Sequence, residues 1–307
     1  MHDRSDGERG SPANAHPRGR TPERPSVQGA PRVRRVWIYA KHGIKPEEWA
    51  RLEGALKSCH LEAAVHPSHA SSSGLRALSA GEAASWADAV VAVGGDGTLL
   101  RAYHETRGAL PILGISCRSV GYLMEVPLSQ VEEAFRLIAD GEYWVEERIV
   151  GFASAGRWSA EFVNEVLVTP LHRERPARFT VRSDGSTLLQ GRLDGLIVAT
   201  PTGSTAYALS AGGPVLDPQL HAFSIVPLAP LTALAKPLVV SSNRRVEVVV
   251  AADRGCAATV DGLGFVQLEV CTILIAEDPR TLKLLKLPIG EDPWTKLVRR
   301  LTDTPIA

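Results

Sequence analysis

The residues best suited to chemistry lie in a short glycine-rich segment, Gly94-Gly95-Asp96-Gly97-Thr98. The segment follows an apolar, partly β-branched run at 89–93 that is typical of a buried strand in a parallel sheet. A helical pattern begins at Thr98, so Asp96 is predicted to lie in a turn between the end of a strand and the start of a helix. Ligands of open α/β sheets bind at this edge of the sheet.

The predicted turn has the features of a phosphate site. Glycines let main-chain N–H groups approach a phosphate closely, and the N-terminus of a helix adds partial positive charge. A carboxylate such as Asp96 among these donors can hold Mg²⁺ or take a proton from a hydroxyl. A tight turn in which Asp96 only caps the helix fits the same residues, so the motif alone leaves both interpretations open.

Two adjacent polar residues, Asn164 and Glu165, interrupt an apolar run within 159–168. Successive residues of a strand point to opposite faces, so both cannot belong to the solvent side of one half-buried strand. Either one of them faces a polar ligand, or the strand contains a bulge or lies at an edge.

A second loop after a predicted strand is rich in hydroxyls: Thr200-Pro201-Thr202-Gly203-Ser204-Thr205-Ala206-Tyr207. An acidic turn at Asp194 precedes the strand at 196–199, and Ser204 or Thr205 is expected to cap a short helix that runs to Gly212. Because capping needs one hydroxyl and the loop supplies four, the loop favours a ribose or phosphate site. Tyr207 adds a π face and a hydroxyl.

The dipeptide Asp261-Gly262 has the pattern of a hairpin turn between strands at 257–260 and 265–268. A turn is the simpler interpretation of this aspartate, and a functional role depends on what lies beside it.

The elements that position the first loop alternate between strands and helices. Strands are predicted at 36–40, 61–65, 88–93 and 110–115, and helices at 46–58, 97–107 and 128–138. Ser129 and Glu132 predict a capping box for the last helix, and Gly141 ends it. This alternation predicts an α/β domain with an open, mainly parallel sheet at 33–142.

Short strand-like runs then follow one another from 143 to 277, which predicts an all-β-rich second domain with sandwich-like layers. A helix at 294–301 is expected within a C-terminal segment, 278–307, that returns to the first domain. Residues 1–32 are rich in Arg, Pro, Gly and Ser and predict a disordered tail.

The whole-chain composition narrows the class of protein. The chain has 307 residues with 34 basic and 34 acidic side chains, so its charge gives no reason to expect a nucleic-acid or membrane binder. The four cysteines have no metal-ligand spacing, which indicates a reduced, cytoplasmic protein. Histidines at 60, 66 and 69 fit a polar loop better than a metal site, because no acidic residue or cysteine completes a ligand set.

Taken together, these segments resemble the NAD kinase family. The resemblance covers about residues 35–277 and rests on four motifs in the family's order, of which the block at 194–214 is the most specific. It implies an N-terminal α/β domain, a C-terminal β domain, a site between them, and assembly as a homodimer or homotetramer.

The resemblance also implies roles for individual residues. Asp96 would activate the adenosine 2′-hydroxyl of NAD for attack on the γ-phosphate of ATP or polyphosphate, with Mg²⁺ as the cofactor, and Glu165 would lie beside the ribose and phosphates. The phosphate-binding residues would be Gly94, Gly95, Gly97, Thr98 and Arg101. Those framing the adenosine part of NAD would be Asn164, Thr205, Ala206, Tyr207 and Ser210. Asp194 and Asp261 would contact the nicotinamide half or the ligand of an adjoining subunit.

Two segments depart from the family's pattern. Ser116 and Arg118 stand where the family has an asparagine and a glycine, and Ala229 and Leu231 flank a proline where it has Cys-Pro-His. The altered first segment motivates an alternative, a kinase for another nucleoside, a lipid or a sugar. A nucleotide-binding sensor is a third hypothesis, although a sensor has no need of Asp96 as a base.

Overall fold

The structure is a computed structural model that describes residues 30–118, 121–172, 176–231 and 235–302. Except for 30–32, the predicted tail lies outside these described residues. No helix in the described part of the chain is both long and apolar enough to cross a lipid bilayer.

The N-terminal half folds as an α/β domain around a parallel sheet. Its strands are β1 (Arg35–Ala40), β2 (Glu62–Val65), β3 (Arg76–Ala77), β4 (Ala89–Gly94), β5 (Ile112–Ser116) and β6 (Val126–Pro127). The first five lie side by side in the order β3-β2-β1-β4-β5, and β6 pairs with β5. The helices are α1 (Pro46–Ser58), α2 (Ala70–Ser73), α3 (Ala80–Trp86), α4 (Asp96–Thr106) and α5 (Val131–Asp140).

Strand β4 is buried on both faces, as its sequence predicts. Val91 and Val93 belong to the core that α1 and α5 cover. Val90 and Ala92 belong to the opposite core, to which α4 contributes Leu99. This two-sided packing fixes the end of β4, and with it the turn that contains Asp96.

The C-terminal half is rich in β-structure, as predicted. Its elements are β7 (Trp144–Ala155), β8 (Trp158–Phe162), β9 (Glu165–Pro170), β10 (Ala177–Ser183), β11 (Ser186–Leu193), β12 (Gly195–Ala199), α6 (Tyr207–Ser210), β13 (Ala222–Leu228), β14 (Leu238–Ser241), β15 (Val246–Ala251), β16 (Cys256–Val260), β17 (Phe265–Leu268), β18 (Thr272–Lys286) and α7 (Pro293–Thr302).

These strands form two layers around one core. The antiparallel sheet has the order β14-β13-β12-β9-β16-β17, while β7, β8, β10, β11, β15 and β18 extend the first sheet. Phe179 and Ile275 from the extended sheet pack with Val198 and Phe223 from the antiparallel sheet. The layered arrangement therefore agrees with the sandwich-like prediction.

Strand β18 connects the two halves of the molecule. Near its start Ile275 lies opposite Val246 of β15, and near its end Leu284 lies opposite Ile112 of β5. Helix α7 follows, and its Leu297 joins the core beneath α4.

The single strand expected across 159–168 is wrong. The chain leaves the first sheet after Phe162 and enters the antiparallel sheet at Glu165. Asn164 and Glu165 therefore mark a passage between two sheets, which explains why adjacent polar residues interrupt an apolar run.

The predicted capping box of Ser129 and Glu132 is also wrong. Residues Leu128–Gln130 form a 3₁₀ turn, and Gln130 precedes α5 without a side-chain cap. The carbonyl of Ser129 instead accepts a hydrogen bond from Arg51. Gly141 ends the helix in a left-handed conformation, as expected.

Not all four cysteines are reduced as predicted. Cys256 and Cys271 form a disulfide, with their Cα atoms 5.7 Å apart, whereas Cys59 and Cys117 are free. The β16–β17 hairpin returns the chain beside Cys256, so a pair 15 residues apart in sequence becomes adjacent in space.

Candidate active site

Asp96 is the first residue of α4, and the structure holds its carboxylate in place. The N–H of Tyr122 donates to Oδ2 at 2.9 Å, and the N–H of Leu123 donates to Oδ1 at 3.0 Å. A β-carbon at Gly121 would overlap this carboxylate, which explains a glycine there. Each oxygen keeps further lone pairs, so the group can still accept a proton.

The glycines of the turn have different roles. A β-carbon at Gly94 would overlap the hydroxyl of Thr98, so this position needs a glycine. A β-carbon added to Gly95 or Gly97 would meet no atom within 4 Å, and Gly97 is exposed. The Cα atoms of Gly95 and Gly97 therefore face open space, which leaves room for a ligand beside the N-terminus of α4.

Lys41 is a basic residue beside this turn that belongs to none of the sequence motifs. Lys41 follows β1, and its N–H donates to Val93 at 2.8 Å, so it lies beside the end of β4. Its ammonium is 3.1 Å from Glu48. The available signal was its position, because the carboxyl ends of adjacent parallel strands meet at one edge. Arg101, predicted to bind phosphate, is exposed one turn along α4.

Asp261 organises the passage between the two sheets. Its buried carboxylate accepts hydrogen bonds from the N–H groups of Val163, Asn164 and Glu165 at 2.9, 2.7 and 3.0 Å. The turn that contains Asp261 connects β16 with β17, as predicted. Its side chain is fully buried and held by three N–H groups, so the geometry favours a positioning role over direct contact with a ligand.

His104 links this passage to the helix that carries Asp96. Its Nε2 lies 2.7 Å from Oδ2 of Asp261. His104 is eight residues after Asp96, about 12 Å along α4 at 1.5 Å per residue. Val163 also packs in the core beneath α4 with Leu99. His104 was not predicted from the sequence, because a single histidine on a helix belongs to no recognisable motif.

The hydroxyl-rich loop lies against the same passage. The N–H of Thr200 donates to the carbonyl of Asn164 at 2.9 Å, and a β-carbon at Gly203 would overlap that carbonyl. The capping prediction for Ser204 or Thr205 is wrong. The hydroxyl of Thr200 accepts the N–H of Gly203 at 3.1 Å, and Ser204 instead accepts the N–H of Leu216.

Glu165, at the end of the passage, lies buried beside the hydroxyl-rich loop. Burial, together with the nearby charge of Asp261, raises the pKa of Glu165 to about 8, although a hydrogen bond from the Tyr207 N–H acts in the opposite direction. Glu165 Oε2 and Thr202 Oγ1 are both buried and have no hydrogen-bond partner among the described residues. Buried polar atoms without partners are uncommon, so this position calls for a ligand or water.

The other residues predicted to frame adenosine differ in their exposure to solvent. Thr205 is buried, Ala206 is half-buried, and Tyr207 and Ser210 are exposed on α6. Asp194 is the exception, because it lies exposed at the opposite end of β12. Five strand residues lie between Asp194 and Thr200, so six residue steps at 3.3 Å each separate the two by about 20 Å.

Comparison with known proteins adds to this geometry. The ATP-NAD kinase N-terminal domain matches residues 56–143, and the ATP-NAD kinase C-terminal domain matches residues 163–275. The chain belongs to the NAD kinase family. The NAD kinase of Thermococcus sibiricus is 37% identical over 227 residues, 73% of this chain and 81% of that protein. The NAD kinase of Pseudomonas putida is 38% identical over 214 residues, 67% of this chain and 72% of that protein.

Solved structures of NAD kinases share the fold. An NAD kinase from Archaeoglobus fulgidus in complex with ATP has a TM-score of 0.72 at 28% identity, covering 88% of this chain and 99% of the other. Yeast NADH kinase complexed with NADH has a TM-score of 0.78 at 19% identity, covering 90% and 89%, and supports the fold alone.

As a member of the NAD kinase family, the chain is a phosphotransferase that phosphorylates NAD. These findings give no support to a lipid, a sugar or another nucleoside as the acceptor.

Proposed function

We propose that Asp96 is the general base that activates the adenosine 2′-hydroxyl of NAD for attack on the γ-phosphate of ATP or polyphosphate. An alcohol is a weak nucleophile, and a positioned base contributes about 10² to 10⁴ in rate. The observation that carries this proposal is the placement of Asp96 at the start of α4, held by the N–H groups of Tyr122 and Leu123.

The phosphates of the donor would lie at the glycine turn. The open space beside Gly95 and Gly97 and the position of Lys41 next to the end of β4 support this placement. The proposed contacts are Gly94, Gly95, Gly97, Thr98 and Arg101. Phosphoryl transfer depends mainly on positioning and on neutralising phosphate charge, and both features serve those needs.

The adenosine part of NAD would lie beside Glu165 and Thr202, where the passage at Asn164 meets the loop at Thr200–Tyr207. Two buried polar atoms without partners, Glu165 Oε2 and Thr202 Oγ1, support a ligand there. A carboxyl with a pKa near 8 is mainly protonated at neutral pH, so Glu165 can donate a hydrogen bond to a ribose or phosphate oxygen. The proposed contacts in this part of the site are Asn164, Glu165, Thr205, Ala206, Tyr207 and Ser210.

The proposal includes Mg²⁺ as the cofactor. The described residues contain no group of three or more histidine, cysteine or acidic side chains that could hold a metal ion. This donor set does not fit a protein-ligated metal, whereas Mg²⁺ in kinases commonly binds the substrate phosphates with one or two carboxylates. We therefore assign no catalytic step to the ion.

We further propose that the enzyme is a homodimer or homotetramer in the cytoplasm. Exposed apolar side chains at Phe265, Val266 and Leu274 support self-association. Asp194 lies far from the site of its own chain, so its proposed ligand contact would involve an adjoining subunit. The free thiols of Cys59 and Cys117 support this location, whereas the Cys256–Cys271 disulfide is uncommon there.

The test is a phosphotransfer assay on purified protein with Mg²⁺ and NAD, in which a dehydrogenase specific for NADP detects the product. ATP and polyphosphate are compared as donors, and NADH is compared with NAD as the acceptor. NADP formation that needs a donor supports the proposal. A folded protein that binds ATP but forms no NADP contradicts it.

A further inference from the structure

A buried cluster of charges lies behind the loop that holds Asp96. Glu125, Lys286 and Lys296 are each no more than 5% exposed, and they come from the residue before β6, the end of β18 and helix α7. Glu125 contacts the ammonium of Lys286, and its other oxygen accepts the N–H of Leu287 at 2.9 Å. Lysine is rarely buried, so two of them in one cluster require an explanation.

The two lysines make different contacts. Lys286 pairs with Glu125. Lys296 lies 3.6 Å from the same carboxylate, but its ammonium donates to the backbone carbonyl of Met124 at 2.6 Å. One ammonium is enough to balance the charge of Glu125. The bond from Lys296 to Met124 therefore has a separate structural consequence.

That consequence concerns Asp96. Met124 directly follows Tyr122 and Leu123, whose N–H groups hold the Asp96 carboxylate. A hydrogen bond from a charged donor is stronger than one between neutral groups. The Lys296 bond therefore anchors the far end of the short segment that fixes the orientation of Asp96.

The protonation of Lys296 also depends on the charges around it, including that of Asp96. Burial and the neighbouring Lys286 lower the pKa of Lys296 to about 8, while Glu125 and Asp96 act in the opposite direction. At neutral pH the ammonium stays mainly protonated, so it remains a charged donor to Met124.

We propose that Lys296 is a positioning residue for phosphotransfer, which fixes the Tyr122–Met124 segment against Asp96 from the C-terminal helix. The inference rests on the proposed role of Asp96 as the base. It makes α7, which lies beyond the matched C-terminal domain at 163–275, part of the apparatus that sets the catalytic geometry.

The test compares Lys296→Met with Lys286→Met in the full-length protein. Both changes remove one ammonium from the cluster, but only the first removes the bond to Met124. We expect Lys296→Met to lower kcat at least tenfold with the KM values for ATP and NAD within about twofold, and Lys286→Met to lower kcat less than threefold. Lys296→Arg, which keeps a charged donor, should recover part of the lost kcat.

Amide hydrogen exchange gives a readout that does not depend on catalysis. The N–H groups of Tyr122 and Leu123 should exchange faster in Lys296→Met than in Lys286→Met. If Lys296→Met does not fold, Lys296→Gln gives the same comparison. Its amide is uncharged, and its nitrogen is one bond nearer the backbone and so falls short of the Met124 carbonyl.

Equal losses of kcat in the two methionine variants, or unchanged exchange at 122–123, would overturn the inference. Full activity in Asp96→Asn would instead refute the proposed base. Faster exchange in Lys296→Met would then still establish the anchor, so the two failures are distinguishable.

Discussion

His104 Nε2 and Asp261 Oδ2 lie 2.7 Å apart and join the helix that begins at Asp96 to the turn that begins at Val163. One partner comes from the α/β domain and the other from the β-rich domain. The Asp261 carboxylate that contacts His104 also accepts hydrogen bonds from three consecutive backbone N–H groups. The pair therefore sets the position of the proposed NAD site relative to the proposed base.

Removing the Asp261 carboxylate should destabilise the fold. In Asp261→Ala, three backbone N–H groups lose their acceptor, and each buried unsatisfied donor costs about 1–3 kcal/mol. We expect the free energy of unfolding to fall by about 3 kcal/mol or more, measured by urea denaturation. Asp184→Ala is the matched control, because Asp184 shares the left-handed backbone of Asp261 but lies in an exposed turn and pairs with Arg244. We expect it to lose only about 1 kcal/mol, the cost of alanine in that conformation. Similar losses in both variants would refute this role.

Asp96→Asn should abolish turnover and keep most nucleotide affinity. The amide cannot accept the hydroxyl proton as a carboxylate does, so we expect kcat to fall by about 10² to 10⁴. Steady-state kinetics and ATP binding by calorimetry measure the two effects. Glu105→Gln, an exposed change on the same helix, should leave both unchanged. Normal activity in Asp96→Asn would exclude the base.

Tyr207→Ala should weaken NAD more than ATP. The side chain is 46% exposed on α6, beside the passage where we place adenosine, so its ring is available to stack on a base. We expect the KM for NAD to rise about tenfold with the KM for ATP within twofold. Tyr207→Phe keeps the ring and separates stacking from the hydroxyl. Equal losses for both substrates would place the tyrosine elsewhere.

The raised pKa of Glu165 predicts a pH dependence of stability. The folded protein holds this proton up to about pH 8, whereas the unfolded chain releases it near the ordinary value of 4.5. The folded state therefore binds more protons between these values, and the free energy of unfolding should fall as pH rises through the window.

Glu165→Gln should flatten that dependence, because its amide does not titrate. Urea denaturation of both proteins at several values between pH 5 and 8 measures the difference, which cancels the contributions of other groups. Parallel curves for the two proteins would show that Glu165 is not buried as a neutral acid.

The sequence predicts those features that depend on local pattern. The apolar run before Asp96 and the glycines after it place the turn at the carboxyl edge of a sheet, where the structure has it. The alternation of strands and helices likewise predicts the parallel sheet, because each βαβ unit brings the next strand beside the last.

Features that depend on distant contacts were beyond a sequence pattern. Ser129 has the spacing of a cap, but the chain begins a 3₁₀ turn there and α5 starts later. Thr200, rather than a residue within the short helix, satisfies Gly203. Asp261 looks like an ordinary turn residue until the fold places Val163 beside it, and the Cys256–Cys271 bond requires the hairpin to return.

Strand β18 has a consequence for how the protein is made. The ribosome releases the N-terminal half first, at about 5–20 residues per second. That half nevertheless depends on β18 beside β5 and on Leu297 in its core, both supplied by the last part of the chain. A nascent chain can thus present the glycine turn early but completes its scaffold only after β18 and α7 have been synthesised, so premature stop codons that remove these two elements should yield an inert product.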